Sequence, residues 1–271
     1  MIWGRIFLYL IFCCLSGVTS VARSSETLNL HVLDVGEGQS VLLHSNNRAI
    51  LVDTGHAGMV ESVIKRMDTL GVKQLDYLFL THLHADHASG YFRVREKFPQ
   101  MMTIDGCYSV KAGRESDMER WIDTALAQNP NRRCVTQGDR IEWQGNELEV
   151  LWPGPKTAIE KGLNHNSLVL QIRRGNRTIL IMGDADKKAE SLIMQQKQLQ
   201  PVDIFVVGHH GAADASSEAF LKAVKPKTAV VSVNRDNFRG YPDSKTLGRL
   251  NQNSGLLHIT SESGEFHAIL K

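Results

Sequence analysis

Thr81-His82-Leu83-His84-Ala85-Asp86-His87 follows the largely apolar run 75–80. Three imidazoles and one carboxylate fall within six residues. Neutral imidazole and carboxylate are natural ligands for zinc and similar divalent ions. On an extended segment His82 and His84 point the same way, so they can share one ion. Asp86 and His87 lie past a turn, within reach of a second ion. Ala85, Ala88 and Gly90 leave the backbone free to bend there.

Two further clusters follow apolar runs. Gly183-Asp184 comes after 178–182, and an aspartate at a strand end can bridge two ions with its two oxygens. Gly208-His209-His210-Gly211 comes after 202–207, with glycines on both sides to permit close approach to a metal. All three clusters sit at the C-terminal ends of expected strands, where layered α/β folds place their chemistry. Strands are expected at 28–35, 39–45, 48–53, 75–81, 103–109, 147–152, 167–173, 177–182, 202–207, 228–233 and 256–260. Helices are expected at 59–70, 88–98, 116–128, 186–198, 216–224 and 244–252. Tight turns such as Ser45-Asn46-Asn47 suit antiparallel hairpins, and the later alternation of strand and helix suits α/β layers.

The chain has 271 residues, 42% hydrophobic and 22% charged, which excludes a disordered acidic chain and a polytopic membrane protein. Residues 1–22 read as a signal peptide. Arg5 gives a positive start, 6–15 are continuously apolar, and Ser20-Val21-Ala22 offers small residues for cleavage. The apolar run is too short to span a bilayer comfortably, so no stable membrane anchor is expected. Residues 23–271 are then one domain in a secreted or periplasmic setting. The net charge is +2, and the leader holds one Arg and no acid, leaving +1. That is too little for a binder of long DNA, which depends on many basic contacts. Cys107 and Cys134 remain after the leader, and an isolated pair in an oxidising compartment is expected to bridge.

His-x-His-x-Asp-His, then Gly-Asp, then a later His at a strand end resemble the metallo-β-lactamase superfamily. One branch is closer. Residues 33–40 (LDVGEGQS), 51–55 (LVDTG), 164–170 (NHNSLVL), 209–211 (HHG) and 220–233 are similar to the hydrolase domain of the DNA-uptake competence protein ComEC. The resemblance implies a four-layer αβ/βα sandwich with two divalent metal ions between the sheets, zinc before manganese. By position, His82 and His84 would hold the first ion, Asp86 and His87 the second, and Asp184 both. His209 is the favoured last ligand of the second ion, with His210 then near the substrate, though the two could exchange. The superfamily's further histidine for the first ion falls near His165, with Asn164 the rival.

The chain departs from that branch where substrate would be touched. Glu37 and Gln39 stand in the opening motif, Ala212 follows His-His-Gly, and Tyr241 replaces a histidine in Arg239-Gly240-Tyr241-Pro242. Tyr241 could donate a proton or a hydrogen bond, and Asp86 could accept a proton from water. The expected activity is hydrolysis by metal-activated water of a small-molecule or nucleic-acid phosphodiester. An ester, lactone or β-lactam hydrolase, or a weakly active binding module, is the alternative. His56 is the remaining histidine to watch, and Asp53 is expected to cap a helix or orient a ligand.

Overall fold

A computed structural model describes residues 27–107, 116–154, 162–196 and 199–271. The signal peptide expected at 1–22 lies outside the described residues. Seven strands form a first mixed sheet: β1 (Leu28–Val32), β2 (Val41–Ser45), β3 (Arg48–Val52), β4 (Gln74–Phe79), β5 (Met102–Asp105), β6 (Arg132–Cys134) and β14 (Phe266–Leu270). Their order is β14-β1-β2-β3-β4-β5-β6. A second sheet has the order β13-β12-β11-β10-β9-β8-β7. Its strands are β7 (Arg140–Trp143), β8 (Asn146–Trp152), β9 (Val169–Arg174), β10 (Arg177–Ile181), β11 (Ile204–Val206), β12 (Thr228–Val231) and β13 (Leu256–Ile259). In each sheet one half is antiparallel hairpins and the other half is parallel, as the turn chemistry and the strand–helix alternation require.

Three apolar layers hold four layers of structure. Leu30, Val32, Ile50, Phe79, Leu170, Ile179 and Val206 pack between the two sheets. On the outer face of the first sheet lie helices α1 (Val60–Thr69), α3 (Tyr91–Lys97) and α4 (Asp117–Ala127), with a single turn, α2 (Ala85–Ala88), between the first two. The buried positions of α1, Val60, Val63, Ile64 and Met67, follow the helical repeat. The second sheet is covered by α5 (Lys187–Gln196), α6 (Glu218–Val224) and α7 (Ser244–Asn253), which bury Ile193, Phe220, Leu221 and Leu250 against it. A last turn, α8 (Thr260–Ser263), precedes β14. Caps start the helices: Ser116 and Glu119 form a reciprocal capping box on α4, and Asp243 accepts from Lys245 N and Thr246 N at 3.0 Å on α7. Among the described residues no helix is long and apolar enough to cross a membrane.

The helix expected at 88–98 divides into α2 and α3, because Ser89 and Gly90 interrupt it where the chain wraps round the histidine motif. Strands β6, β7 and β14 were not legible in the sequence. They are short edge strands, and Arg132-Arg133-Cys134 carries no apolar repeat.

Cys107 and Cys134 form a disulfide with Cα atoms 5.3 Å apart, joining the ends of β5 and β6 across 27 residues of sequence. A cross-link of that span stabilises by about 3 kcal/mol through the unfolded chain. Unfolding by denaturant with and without reductant should therefore differ by about that amount; coincident curves would show that the bridge contributes nothing.

On the outer face of β14-β1-β2, His31 stacks on His267 with ring centroids 4.3 Å apart, and its Nε2 lies 3.2 Å from His44 Nε2. Its Nδ1 is 2.6 Å from Glu265 Oε1, and Arg66 binds both oxygens of that carboxylate. Burial, with the charges of His267 and His44, lowers the His31 pKa to about 4 despite Glu265. The unfolded chain therefore takes up a proton near pH 6.5 that the fold refuses until about pH 4, so stability falls as pH drops through that window. His31→Gln is expected to flatten the slope of melting temperature against pH between 6.5 and 4; an unchanged slope would mean the cluster is not the sensor.

Candidate metal centre

The site lies along the C-terminal ends of β4, β10 and β11, between the two sheets. After β4 the chain stays extended to His84 and then turns into α2, which presents Asp86 and His87. After β10 the turn at Gly183 delivers Asp184. Gly183 has φ +53°, and a Cβ there would lie 2.8 Å from Thr81 Cβ, so only glycine lets the two strand ends meet. Gly38, at φ +123°, leaves similar room for the main chain of Asp86, whose carbonyl accepts from Gln39 N at 3.2 Å.

After β11 both His209 (φ 50°, ψ 43°) and His210 (φ 53°, ψ 24°) are left-handed. Each such residue costs about 1–2 kcal/mol. The two turns aim the adjacent imidazoles at opposite oxygens of Asp184. His210 Nε2 lies 3.6 Å from Oδ1, and His209 Nε2 lies 3.8 Å from Oδ2.

Asp184 is 2% exposed and divides the site into two lobes. On the Oδ1 side, His87 Nε2 is at 3.1 Å, and ligand atoms of Asp86, His87 and His210 all lie within 4.8 Å of one another. His210 Nε2 is 3.4 Å from Asp86 Oδ2 and 3.2 Å from His87 Nε2. On the Oδ2 side, His82 Nε2 is at 3.6 Å, and His82, His84 and Asp184 converge within the same 4.8 Å. His82 Nε2 and His84 Nδ1 are 3.0 Å apart.

Two choices that the sequence leaves open are separated here by geometry. His210, not His209, joins Asp86 and His87, because the left-handed pair turns His209 to the other lobe, where Asn164 Nδ2 donates to its Nε2 at 3.0 Å. His165 joins neither lobe. The 3-10 turn Asn164–Asn166 sends consecutive side chains apart, so His165 Nδ1 meets Asp186 Oδ1 at 2.9 Å and its ring lies edge-on to Trp152. His56 also stays outside the site, accepting from Gly58 N as a turn cap. Tyr241 stands at the mouth, its ring 5.5 Å from His209 and 6.5 Å from His210.

The surrounding hydrogen bonds fix which nitrogen of each ring faces the site. Asp53, fully buried at the end of β3, accepts from Thr81 N at 2.8 Å on Oδ1. On Oδ2 it accepts from Thr81 Oγ1 at 2.7 Å and Gln39 Nε2 at 2.8 Å, and His87 Nδ1 lies 2.7 Å away. Since Thr81 Oγ1 donates to Asp53, it accepts from His82 Nδ1 at 3.1 Å. Asp53 thus fixes which nitrogen of His82 and of His87 faces the site, turning both Nε2 atoms toward an ion, which on His87 would displace a proton. Ser232 O does the same for His210 Nδ1 at 2.9 Å, and Asp214 Oδ1 for His209 Nδ1 at 2.8 Å. Gln39, which stands where the related branch has an acid, supplies a donor that a second carboxylate could not give Asp53.

Burial lowers the pKa of His82 and of His84, keeping both neutral. Burial also opposes charge on Asp184, but His87, His210 and His82 outweigh it and hold the carboxylate well below its usual range. Asp86 stays ionised in the same way, through His210 and His87. For His87, burial is overcome by Asp184 and Asp53, which raise its pKa well above that of a free imidazole. The two carboxylates therefore demand a positive charge at their centre. Asp184 Oδ1 is moreover buried without a well-aligned hydrogen bond, its nearest nitrogen being His87 Nε2 at 3.1 Å. Oriented nitrogens, ionised carboxylates and this oxygen together fit divalent metal ions.

Residues 33–233 match the model of the metallo-beta-lactamase superfamily. The chain belongs to that superfamily. Its two facing mixed sheets are the fold of that superfamily of metal-dependent hydrolases, and its His and Asp clusters are suited to holding metal ions. Recombination protein 2 of Haemophilus influenzae is 27% identical over 94% of this chain and 30% of its own length. Competence protein ComA of Neisseria gonorrhoeae is 32% identical over 86% of this chain and 31% of its own. The chain thus spans about a third of these relatives. The solved metallo-beta-lactamase fold protein YhfI of Bacillus subtilis covers 90% of this chain and 100% of its own, with TM-score 0.59 at 13% identity, a likeness of fold.

Asp214 and Ser232 complete the site without a sequence signal strong enough to place them, whereas Asn164, the rival of His165, faces His209. Asp214 lies five residues beyond His209 in a loop, and Ser232 contributes only its carbonyl toward His210.

Proposed function

We propose that the protein is a phosphodiesterase that works outside the cytoplasm with two divalent ions, zinc or manganese. The observation that carries this is the division of the site by Asp184, with imidazoles and a carboxylate on each side of its two oxygens. His82 and His84, with His209 beside them, would hold one ion, and Asp86, His87 and His210 the other. When bound, such a pair lowers the pKa of water and polarises a phosphoryl oxygen. The chain's own groups then orient the substrate. Burial raises the Tyr241 pKa, so its phenol stays protonated at neutral pH and can donate to a non-bridging phosphate oxygen. Arg239, beside Tyr241, offers a guanidinium for the same phosphate.

Named kinship with competence and recombination proteins favours a nucleic-acid or nucleotide diester over a carboxylic ester. The near-neutral charge favours a short or small diester over long duplex DNA. The disulfide and the apolar segment at 6–15 support an oxidising location. The test is hydrolysis of bis(p-nitrophenyl) phosphate with added Zn²⁺ or Mn²⁺, beside nitrocefin and an aliphatic lactone. Metal-dependent cleavage of the diester is expected. Cleavage of the lactone or the β-lactam with the diester untouched would overturn the assignment.

A further inference from the structure

The segment 232–243, between β12 and α7, forms one wall of the site mouth. It is tied down rather than loose. Asn237 Nδ2 donates to Asn234 O at 2.7 Å and to Tyr241 O at 2.6 Å, and Asn237 Oδ1 accepts from Tyr241 N at 2.7 Å. Arg235 Nη2 donates to Ser261 O at 2.8 Å. At the tip of this braced loop Phe238 is 86% exposed, the most exposed of the large apolar side chains among the described residues. One face of its ring carries the Arg239 guanidinium, 5.5 Å from the centroid. Arg239 Nε is 3.1 Å from Glu37 Oε1, on the loop between β1 and β2 across the mouth. Two residues on, Tyr241 touches the rings of His209 and His210.

Lone exposed apolar residues are common and usually need no explanation. Phe238 differs in its setting. The loop holds it in place, its cation neighbour is fixed by Glu37, and the same short segment ends on the metal-ligating histidines. A flat ring beside a guanidinium is the combination that binds a planar group attached to a phosphate. The ring stacks, and the cation neutralises the phosphate next to it.

We infer that Phe238 and Arg239 form a subsite for a planar ring joined to the scissile phosphodiester. The inference rests on the phosphodiester reading and adds which flank of the substrate is recognised and by what. Two sources supply such a ring: the nucleobase of a nucleotide ester, or an aryl group esterified directly to phosphate. Stacking strengthens binding without touching the reacting atoms, so it acts on KM and leaves kcat alone.

The experiment compares the metal-loaded protein with Phe238→Ala and Phe238→Tyr on thymidine 5′-(p-nitrophenyl) phosphate and on methyl p-nitrophenyl phosphate. Phe238→Ala is expected to raise KM for the thymidine ester roughly 5- to 150-fold, the range of a single base–aromatic stack, with kcat within about twofold. Phe238→Tyr should restore the wild-type KM. A rise confined to the thymidine ester assigns the ring to the nucleobase; an equal rise for both esters assigns it to the aryl group. Unchanged KM on both esters, a loss of kcat alone, or a Tyr variant as impaired as the Ala variant would each overturn the subsite. If wild-type protein cleaves neither ester, the phosphodiester reading fails and the subsite falls with it, an outcome separate from the other three.

Discussion

Asp184→Ala is expected to abolish tight binding of both ions and to lower turnover by at least about 10³-fold, with the fold intact. The ions supply several kcal/mol of transition-state charge stabilisation, and each 1.36 kcal/mol is tenfold in rate. Among the described residues no other side chain places one oxygen toward His87 and His210 and the other toward His82 and His209. The fold should survive because the strand end is held by main-chain groups. Asp184 N donates to Ser167 Oγ at 3.1 Å, and His209 N donates to Gly183 O at 3.0 Å, whatever the side chain is. Removing the carboxylate takes away a charge that offsets buried His87, so the metal-free variant should lose about 3 kcal/mol of stability yet remain folded. Metal content, turnover and thermal unfolding of the metal-free variant together check this. A variant that binds two ions and turns over normally would contradict the assignment. One that fails to fold would show that Asp184 is structural.

Asp53→Asn is expected to weaken metal affinity about 10- to 100-fold and to cost about 3 kcal/mol of stability, although Asp53 touches no ion. Its carboxylate receives four donors: Thr81 N, Thr81 Oγ1, Gln39 Nε2 and His87 Nδ1. An amide replaces one acceptor oxygen with an NH₂ group, which meets these donors with a donor, in a site with no exposure to water. His87 and His82 then lose the partners that fix which nitrogen faces the site. A chelator-competition titration and a denaturant melt measure the two effects. Wild-type affinity with reduced stability would make Asp53 a purely structural residue.

The histidine motif was legible because ligand residues follow strand ends in an order that leaves little else to do. His82, His84, Asp86 and His87 are placed by one short segment, so local sequence determines their neighbourhood. The choice between His209 and His210 was not legible. It depends on two consecutive left-handed residues, a conformation that sequence does not announce in non-glycine positions. The choice between His165 and Asn164 was not legible for a similar reason, since a single 3-10 turn decides which of them faces the site. Asp53 was readable as an orienting group from Asp53-Thr54-Gly55, but its link to His82 through Thr81 needed the strands in register. Sheets covered by helices followed from strand and helix periodicity, and the four-layer sandwich from the family resemblance. Its edge strands did not, because β6 and β14 are fixed by pairing with neighbours distant in sequence rather than by their own apolar pattern.

The most direct measurement is the number of ions held per chain. The protein is loaded with Zn²⁺ or Mn²⁺, dialysed and analysed for metal. A centre divided by Asp184 predicts two ions per chain, with His210→Ala retaining one. One ion or none in the folded wild-type protein, or two ions still bound in His210→Ala, would contradict it.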